Sequence, residues 1–125
     1  MRAISAIALL VSVPSICLAA PPVTTVELSN FKFVPANVQL PAGVPVVLHL
    51  NNVAGGGHNF SAPEFFAAAR LDPQSAALVH DGKVEVPSHG SVDLTLVPAE
   101  GQFPLKCTHT LHPSLGMKGT ITVHQ

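Results

Sequence analysis

SVDLTLV, residues 91–97, carries the pattern that decides the fold. Val92, Leu94 and Leu96 recur at every second residue, whereas Asp93 and Thr95 lie between them. Successive side chains of a β-strand point to opposite faces, so this stretch has one face that is apolar enough to be buried. The sequence therefore predicts a half-buried strand at this position.

Similar short runs recur along the chain from Val23 onward. They are rich in Val, Leu, Ile, Thr and Phe, and they read VTTVEL, FKFVP, NVQL, PVVLHL, KVEV, SVDLTLV, FPLKC and GTITV. Turn-forming residues separate them, as at Pro41-Ala42-Gly43 and Asn51-Asn52. Regular short strands with turns between them are typical of a Greek-key β-sandwich, so we predict an all-β fold with antiparallel pairing.

Residues 61–73, SAPEFFAAARLDP, do not fit the strand pattern. Ser61 is a candidate N-cap with Glu64 three residues later, and a proline ends the apolar run. We predict one short helix here, of two or three turns, with at least one of its two phenylalanines covering the core. The stretch that follows, residues 72–83, is predicted to be a loop.

The first twenty residues resemble a targeting segment. One basic residue precedes an apolar run over residues 4–13, and the segment ends in small residues at Ala19 and Ala20. This layout is typical of a cleaved secretory signal, and the run is too short to anchor the chain in a bilayer. We expect cleavage after Ala19 or Ala20, giving a domain of residues 21–125 that is exported to a bacterial periplasm.

Cysteine usage makes one thiol informative. Cleavage removes Cys17, which is an alternative lipid-attachment site, although Pro14-Ser15-Ile16 before it matches a lipoprotein signal poorly. Cys107 then remains as the single thiol, and it cannot form an internal disulfide. Because an exposed thiol is a liability in an oxidising compartment, Cys107 is either a buried inert side chain or a thiolate protected by a metal.

Charge argues against two classes of partner. Without residues 1–20, the chain keeps five of its six basic residues against seven acidic ones, because only Arg2 is lost. No basic cluster remains, so nucleic acid and anionic membrane surfaces are poor candidates for binding.

KCTHTLHPSLGMKG, residues 106–119, brings several soft metal ligands together. It contains Cys107, His109, His112 and Met117. Cysteine and methionine sulfur favour copper(I), imidazole suits both copper states, and two histidines with one thiolate and a distant methionine describe a blue-copper centre. Structural zinc would need another Cys or His at short spacing, and calcium would need clustered carboxylates.

An upstream segment supplies the second imidazole. His58-Asn59 follows three glycines, and Cys107, His112 and Met117 come later with the spacing Cys-x4-His-x4-Met. In this order and position the residues resemble those of the cupredoxins, and the loop spacing is similar to that of rusticyanin and the phytocyanins. FKFVPANVQLPAG near the start and GMKGTITV near the end also look like small bacterial cupredoxins.

The resemblance implies a ligand set for one copper ion per chain. His58, Cys107 and His112 would be the equatorial ligands, with Met117 as the weak axial ligand. For Met117 the alternative is that it only fills the core at the start of a strand.

The resemblance also implies supporting contacts around these ligands. The backbone N–H of Asn59 would lie near the Cys107 sulfur, and its side chain would fix the ligand loop through Thr108. Gly57 would leave room for its carbonyl oxygen to approach the metal as a remote fifth contact.

The remaining histidines are predicted to have no metal. His109 follows Cys107 more closely than a cupredoxin spacing allows, so we assign it to the loop. Alternation places His49 on the opposite face from its leucine neighbours, as an ordinary sheet residue. His80, His89 and His124 are expected to be solvated.

The resemblance implies that the protein transfers single electrons and is not an enzyme. We expect a monomer with a transient redox partner, either a cytochrome or another copper protein. Pro113 and Leu115 would form a small apolar docking patch, or would merely close the loop. Copper binding or delivery without redox cycling is the alternative function. An enzyme or sensor with an open red-copper centre is a further alternative, which the axial position of Met117 disfavours.

Overall fold

The computed structural model describes residues 3, 7–15, 19–109 and 116–125. Within these residues, ten β-strands and two short helices follow one another along the chain. The strands are β1 (Val23–Ser29), β2 (Lys32–Val34), β3 (Asn37–Pro41), β4 (Val46–Asn52), β5 (His58–Ser61), β6 (Arg70–Leu71), β7 (Lys83–Val86), β8 (Ser91–Val97), β9 (Gly101–Lys106) and β10 (Lys118–His124). The helices are α1 (Pro63–Ala68) and α2 (Pro73–Ala76).

The described strands form two five-stranded sheets packed into a sandwich. One sheet has the order β2-β1-β4-β8-β6, and the other has the order β3-β10-β9-β5-β7. The core holds large, fully buried apolar side chains from both sheets, among them Leu28, Leu48, Leu50, Phe60, Leu94, Leu96, Leu105 and Ile121. The all-β sandwich predicted from the sequence is confirmed.

Strict alternation explains why these residues form strands. In β8, Leu94 and Leu96 are buried whereas Ser91 and Asp93 are exposed. β4 alternates buried and half-buried residues along its whole length. His49 of β4 lies on the polar face as predicted and pairs there with Asp93.

The pairing is not antiparallel throughout, which corrects the expectation from the sequence. β1 runs parallel to β4, with Val26 opposite Leu50, and β10 runs parallel to β3, with Ile121 opposite Val38. The other strand pairs are antiparallel. A parallel pair needs a crossover, and here the crossovers pass from one sheet to the other.

The predicted helix is present but shorter, and its start differs. Ser61 is the last residue of β5, and the N-cap of α1 is Ala62, which makes no side-chain capping bond. Both phenylalanines of α1 are buried, as Phe65 packs against Phe103 and Phe66 packs against Phe60, with ring centroids 5.7 and 6.0 Å apart.

A second short helix lies in the stretch predicted to be a loop. The Asp72 side chain caps α2 by accepting from the Ser75 backbone N–H at 2.7 Å. The buried Ser75 hydroxyl accepts from the Thr95 N–H at 2.8 Å and so ties α2 to β8.

Three strand ends meet at one end of the second sheet. Ser61 lies opposite Lys106, and Lys106 lies opposite Lys118. The end of β5, the end of β9 and the start of β10 are therefore neighbours. Because β5 runs antiparallel to β9, the start of β5 lies beside the residues that follow β9. These are the positions from which His58, Cys107 and Met117 extend.

The described part of the N-terminal segment lies outside the core. Ile7, Leu9, Leu10, Val11 and Val13 are exposed. No helix within the described residues is both long enough and apolar enough to cross a membrane.

Candidate metal centre

Cys107 follows directly after β9, and its thiol is buried within the core. The backbone N–H of Asn59 donates to Cys107 Sγ at 3.4 Å. His58 Nδ1 lies 3.8 Å from the same sulfur, and the His58 side chain is also buried. The first strand residue of β5 and the residue after β9 thus place an imidazole and a thiol together.

The distance between these two donor atoms fits one shared metal ion. Zinc bonds, taken as a guide to size, are about 2.3 Å long to thiolate and about 2.0 Å long to imidazole. A trigonal angle of about 120° between such bonds puts the donor atoms roughly 3.7 Å apart, close to the observed value, and His₂Cys copper sites are trigonal. The observed separation of 3.8 Å therefore needs no rearrangement of either residue.

Met117 lies beside Cys107 at the entry to β10. Its carbonyl oxygen accepts from the Cys107 N–H at 3.1 Å, and its side chain is fully buried. Both residues belong to the same apolar cluster as Phe60 and Leu105. The position is compatible with an axial thioether as well as with core filling.

His112, the remaining predicted ligand, lies outside the described residues, as do Pro113 and Leu115. Within residues 19–109 and 116–125, no three side chains of His, Cys, Asp or Glu form a metal-binding cluster. His109 is described, but it does not join His58 and Cys107 in such a group. Its Nε2 atom instead lies 2.8 Å from Glu85 Oε2.

Asn59 connects the first ligand strand to the ligand loop. Its side-chain oxygen accepts from the Thr108 N–H at 2.8 Å, and its Nδ2 group donates to Thr108 Oγ1 at 2.8 Å. With the backbone N–H bond to Cys107, the residue contacts both the thiol and the residue after it. The contacts expected for Asn59 and Thr108 are thus present in the structure.

Glu85 of β7 was missed by the sequence analysis. Its carboxylate accepts from Asn59 Nδ2 at 2.9 Å and pairs with His109. Partial burial raises the pKa of Glu85, but hydrogen bonds from Asn59 and His109, with the charges of His109 and Lys83, lower this pKa by more. The carboxylate is therefore more acidic than usual. A single Glu in a KVEV run carries no sequence signal for this role.

Asn52 was also missed, since the sequence marked it only as a turn residue. Its buried side chain donates to the Gly56 and Val86 carbonyls, each at 3.0 Å, and accepts from the Ala54 N–H at 2.9 Å. These bonds shape the loop that delivers His58. At Gly57, an added Cβ would lie at an ordinary 3.5 Å from His109 Cε1, so the described surroundings leave space for a side chain there.

The fold and the site together define a copper-binding β-sandwich. Residues 22–124 match the family model of copper binding proteins, plastocyanin/azurin family. The chain belongs to this family, the cupredoxins, and copper is its cofactor.

Solved structures with a similar fold include two auracyanins and a plastocyanin. Reduced auracyanin from Roseiflexus castenholzii has a TM-score of 0.61 at 19% identity, covering 86% of this chain and 100% of that one. Auracyanin B has a TM-score of 0.62 at 23% identity, and the match covers 88% of this chain and 94% of that one. Oxidised plastocyanin from Dryopteris crassirhizoma has a TM-score of 0.54 at 24% identity, and the match covers 81% of this chain and 100% of that one.

The same fold also occurs within a larger enzyme. A multicopper oxidase from Campylobacter jejuni has a TM-score of 0.63 at 11% identity, covering 90% of this chain but only 32% of the oxidase. In a comparison with curated protein sequences, none matched. Family membership supports a blue-copper electron carrier as the general class of this protein.

Proposed function

We propose that the protein carries single electrons between redox partners through one mononuclear copper site formed by His58, Cys107, His112 and Met117. The observation that carries the proposal is the buried pair His58 and Cys107, whose donor atoms lie 3.8 Å apart at the spacing a trigonal site requires. Bound copper would supply the one-electron couple.

Burial and rigidity favour electron transfer over catalysis. His58, Cys107 and Met117 are buried, so these described side chains expose little surface to a substrate. Their backbones are held by β5, by β9 and by the hydrogen bond from Cys107 to Met117. A ligand set that moves little between two oxidation states suits rapid electron exchange, and we infer that the protein is not an enzyme.

The partner would be another redox protein, either a cytochrome or a second copper protein. Short-lived encounters of this kind use small interfaces. His112 would present its ring edge to solvent, with Pro113 and Leu115 beside it as an apolar docking patch. The protein itself would act as a monomer.

We further propose that the protein works in a bacterial periplasm after cleavage of residues 1–20. The exposed apolar side chains between Ile7 and Val13 support this proposal, since the described core begins at Val26 and uses none of them. N-terminal sequencing of the exported protein tests the cleavage position.

Optical and paramagnetic resonance spectra of the copper-loaded protein test the function, together with voltammetry. An intense visible band with a reversible copper(II)/copper(I) couple is the expected result. A colourless copper(II) form would contradict the proposal. Tight copper(I) binding without a reversible couple would instead indicate copper delivery.

Two variants test the ligand assignment directly. We expect Cys107→Ser and His112→Ala each to abolish the visible band, because each removes an equatorial ligand. His109→Ala is the matched control within the same loop and is expected to retain the band. Loss of the band with His109→Ala but not with His112→Ala would reverse the assignment of the two histidines.

A further inference from the structure

Glu85 bridges two segments that the strand ladder joins at one residue pair, Ser61 and Lys106. One carboxylate oxygen, Oε1, accepts from Asn59 Nδ2 at 2.9 Å, and the other, Oε2, lies 2.8 Å from His109 Nε2. Asn59 belongs to β5, whereas His109 lies beyond the end of β9. One side chain on β7 therefore holds both the first ligand strand and the ligand loop.

His109 in turn covers the segment that carries the first ligand. Its ring centroid lies 6.4 Å from that of His58, with the rings tilted by 37°. Among the described residues other than the chain neighbours of Gly57, its Cε1 atom is the one atom within 4 Å of a Cβ placed on Gly57. The ring thus packs over Gly57 and His58, while its Nε2 atom faces Glu85.

On the side of β5, few backbone hydrogen bonds hold this part of the loop, although the Cys107 N–H is bonded to the Met117 carbonyl on the side of β10. Within the described part of the chain, the ladder between β5 and β9 consists of the pair Ser61 and Lys106. Thr108 is bound through the Asn59 side chain, and His109 is bound to Glu85. Toward β5, side-chain hydrogen bonds therefore take the place of the strand ladder next to Cys107.

We propose that Glu85 and His109 form an outer clamp that positions Cys107 and Thr108 against His58 and Asn59. The clamp rests on the proposed copper site for its purpose, but its structural effect exists in the copper-free protein. Glu85 and His109 are positioning residues, since they act through Asn59 and Thr108. His109 has a defined task here that is separate from metal ligation.

The primary test is amide hydrogen exchange of Thr108 in the copper-free protein, measured by nuclear magnetic resonance. The Thr108 N–H is bound to Asn59, so weakening the clamp should expose it more often. Loss of one net hydrogen bond corresponds to about five-fold faster exchange, which we expect for Glu85→Ala and for His109→Phe. Glu85→Gln keeps one carbonyl acceptor and should fall between wild type and Glu85→Ala.

Glu100→Ala is the matched control. It removes the same charge and side chain at an exposed position before β9, at the opposite end of that strand from Cys107. It should leave Thr108 exchange unchanged.

The copper-loaded variants give a second readout. Glu85→Ala and His109→Phe should both retain the visible band but shift its position and the copper hyperfine splitting in the same direction, since both loosen the same segment. Glu100→Ala should leave both signals at their wild-type values.

Two outcomes would overturn the clamp. One is wild-type exchange of Thr108 in both Glu85→Ala and His109→Phe, which would make the contact incidental. The other is loss of the visible band in His109→Phe with no spectral change in Glu85→Ala, which would make His109 a ligand. If the protein failed to transfer electrons while Thr108 exchange rose as expected, only the proposed function would fall.

Discussion

Two histidine–carboxylate pairs with the same chemistry lie in different parts of the sandwich. His49 pairs with Asp93 in one sheet, and His109 pairs with Glu85 at the ligand loop. The histidines are 32% and 34% exposed, and the carboxylates are 65% and 63% exposed. Solvent screening should therefore be nearly equal for the two pairs.

What differs is the backbone beneath each pair. His49 and Asp93 are direct partners in the antiparallel ladder of β4 and β8, so backbone hydrogen bonds already fix their positions. His109 lies outside any strand, and its partner Glu85 also holds Asn59. The first pair therefore adds little to positions that the strand ladder already fixes, whereas the second pair fixes the position of His109, which no strand holds. The contribution of an exposed ion pair to the structure thus depends on whether the segment that carries it is already held by backbone hydrogen bonds.

The largest effect is expected from Asn59→Ala, because Asn59 is the residue through which the second pair acts. The change removes two partly buried hydrogen bonds to Thr108 and one to Glu85, each contributing about 1 kcal/mol net, and we expect a loss of about 2–3 kcal/mol in the free energy of unfolding of the copper-free protein. Urea unfolding measures it.

Asn37→Ala is the control for that change. Asn37 also bonds two threonines, Thr120 and Thr122, but these bonds are exposed. Its loss should cost less than about 0.5 kcal/mol. Equal effects of the two asparagine variants would contradict the special role of Asn59.

A double-mutant cycle of Glu85→Ala and His109→Phe should give the next largest effect. We expect a coupling free energy of about 0.5–1 kcal/mol in urea unfolding, near the upper end for partly exposed pairs. Strictly additive single variants would show that the pair is not coupled.

The pH dependence of the free energy of unfolding should differ between the wild-type protein and Glu85→Gln, which is neutral at this position. The folded-state pKa of Glu85 lies below its ordinary value of 4.5. Its ionised form therefore stabilises the fold above the ordinary pKa, and this contribution disappears as the pH falls through the lowered folded-state value. The difference in free energy of unfolding between wild type and Glu85→Gln should shrink below about pH 4.5.

The same titration in a His109→Phe background is the comparison for this prediction. It should show a smaller difference, because one cause of the lowered pKa of Glu85 is then absent. A difference that grows as the pH falls would contradict the sign.

The smallest effect is expected for the pair within the ladder. A cycle of Asp93→Ala and His49→Ala should give a coupling free energy below about 0.3 kcal/mol, because the strands hold both residues without it. A coupling equal to that of Glu85 and His109 would break the comparison.

Much of the fold was predictable because alternation is a local property. Leu94 and Leu96 reveal their burial through their immediate neighbours. The parallel pairing of β1 with β4 was not predictable in this way, because a run of alternating residues does not state its partner or its direction. The cap of α1 was missed since Ser61 fits a capping motif equally well as the last residue of a strand.

The site residues also fall into two groups, those that could be recognised from the sequence and those that could not. Cys107 and His58 stand out as residue types with few structural roles in a β-sandwich, and the structure brings them together. Asn52 and Glu85 do not stand out, because each acts through contacts with residues distant in sequence. Their roles depend on the tertiary packing of β5 and β7.

The hydrogen bond between Cys107 and Met117 has a consequence for how this protein can vary. It ties together the two ends of a nine-residue insert, residues 108–116, at 3.1 Å. The entropy of closing such an insert changes slowly with its length, by only about 0.6 kcal/mol for a doubling. We therefore expect the sandwich to tolerate changes in the length of this segment, because such changes alter the entropy of closing it only slightly.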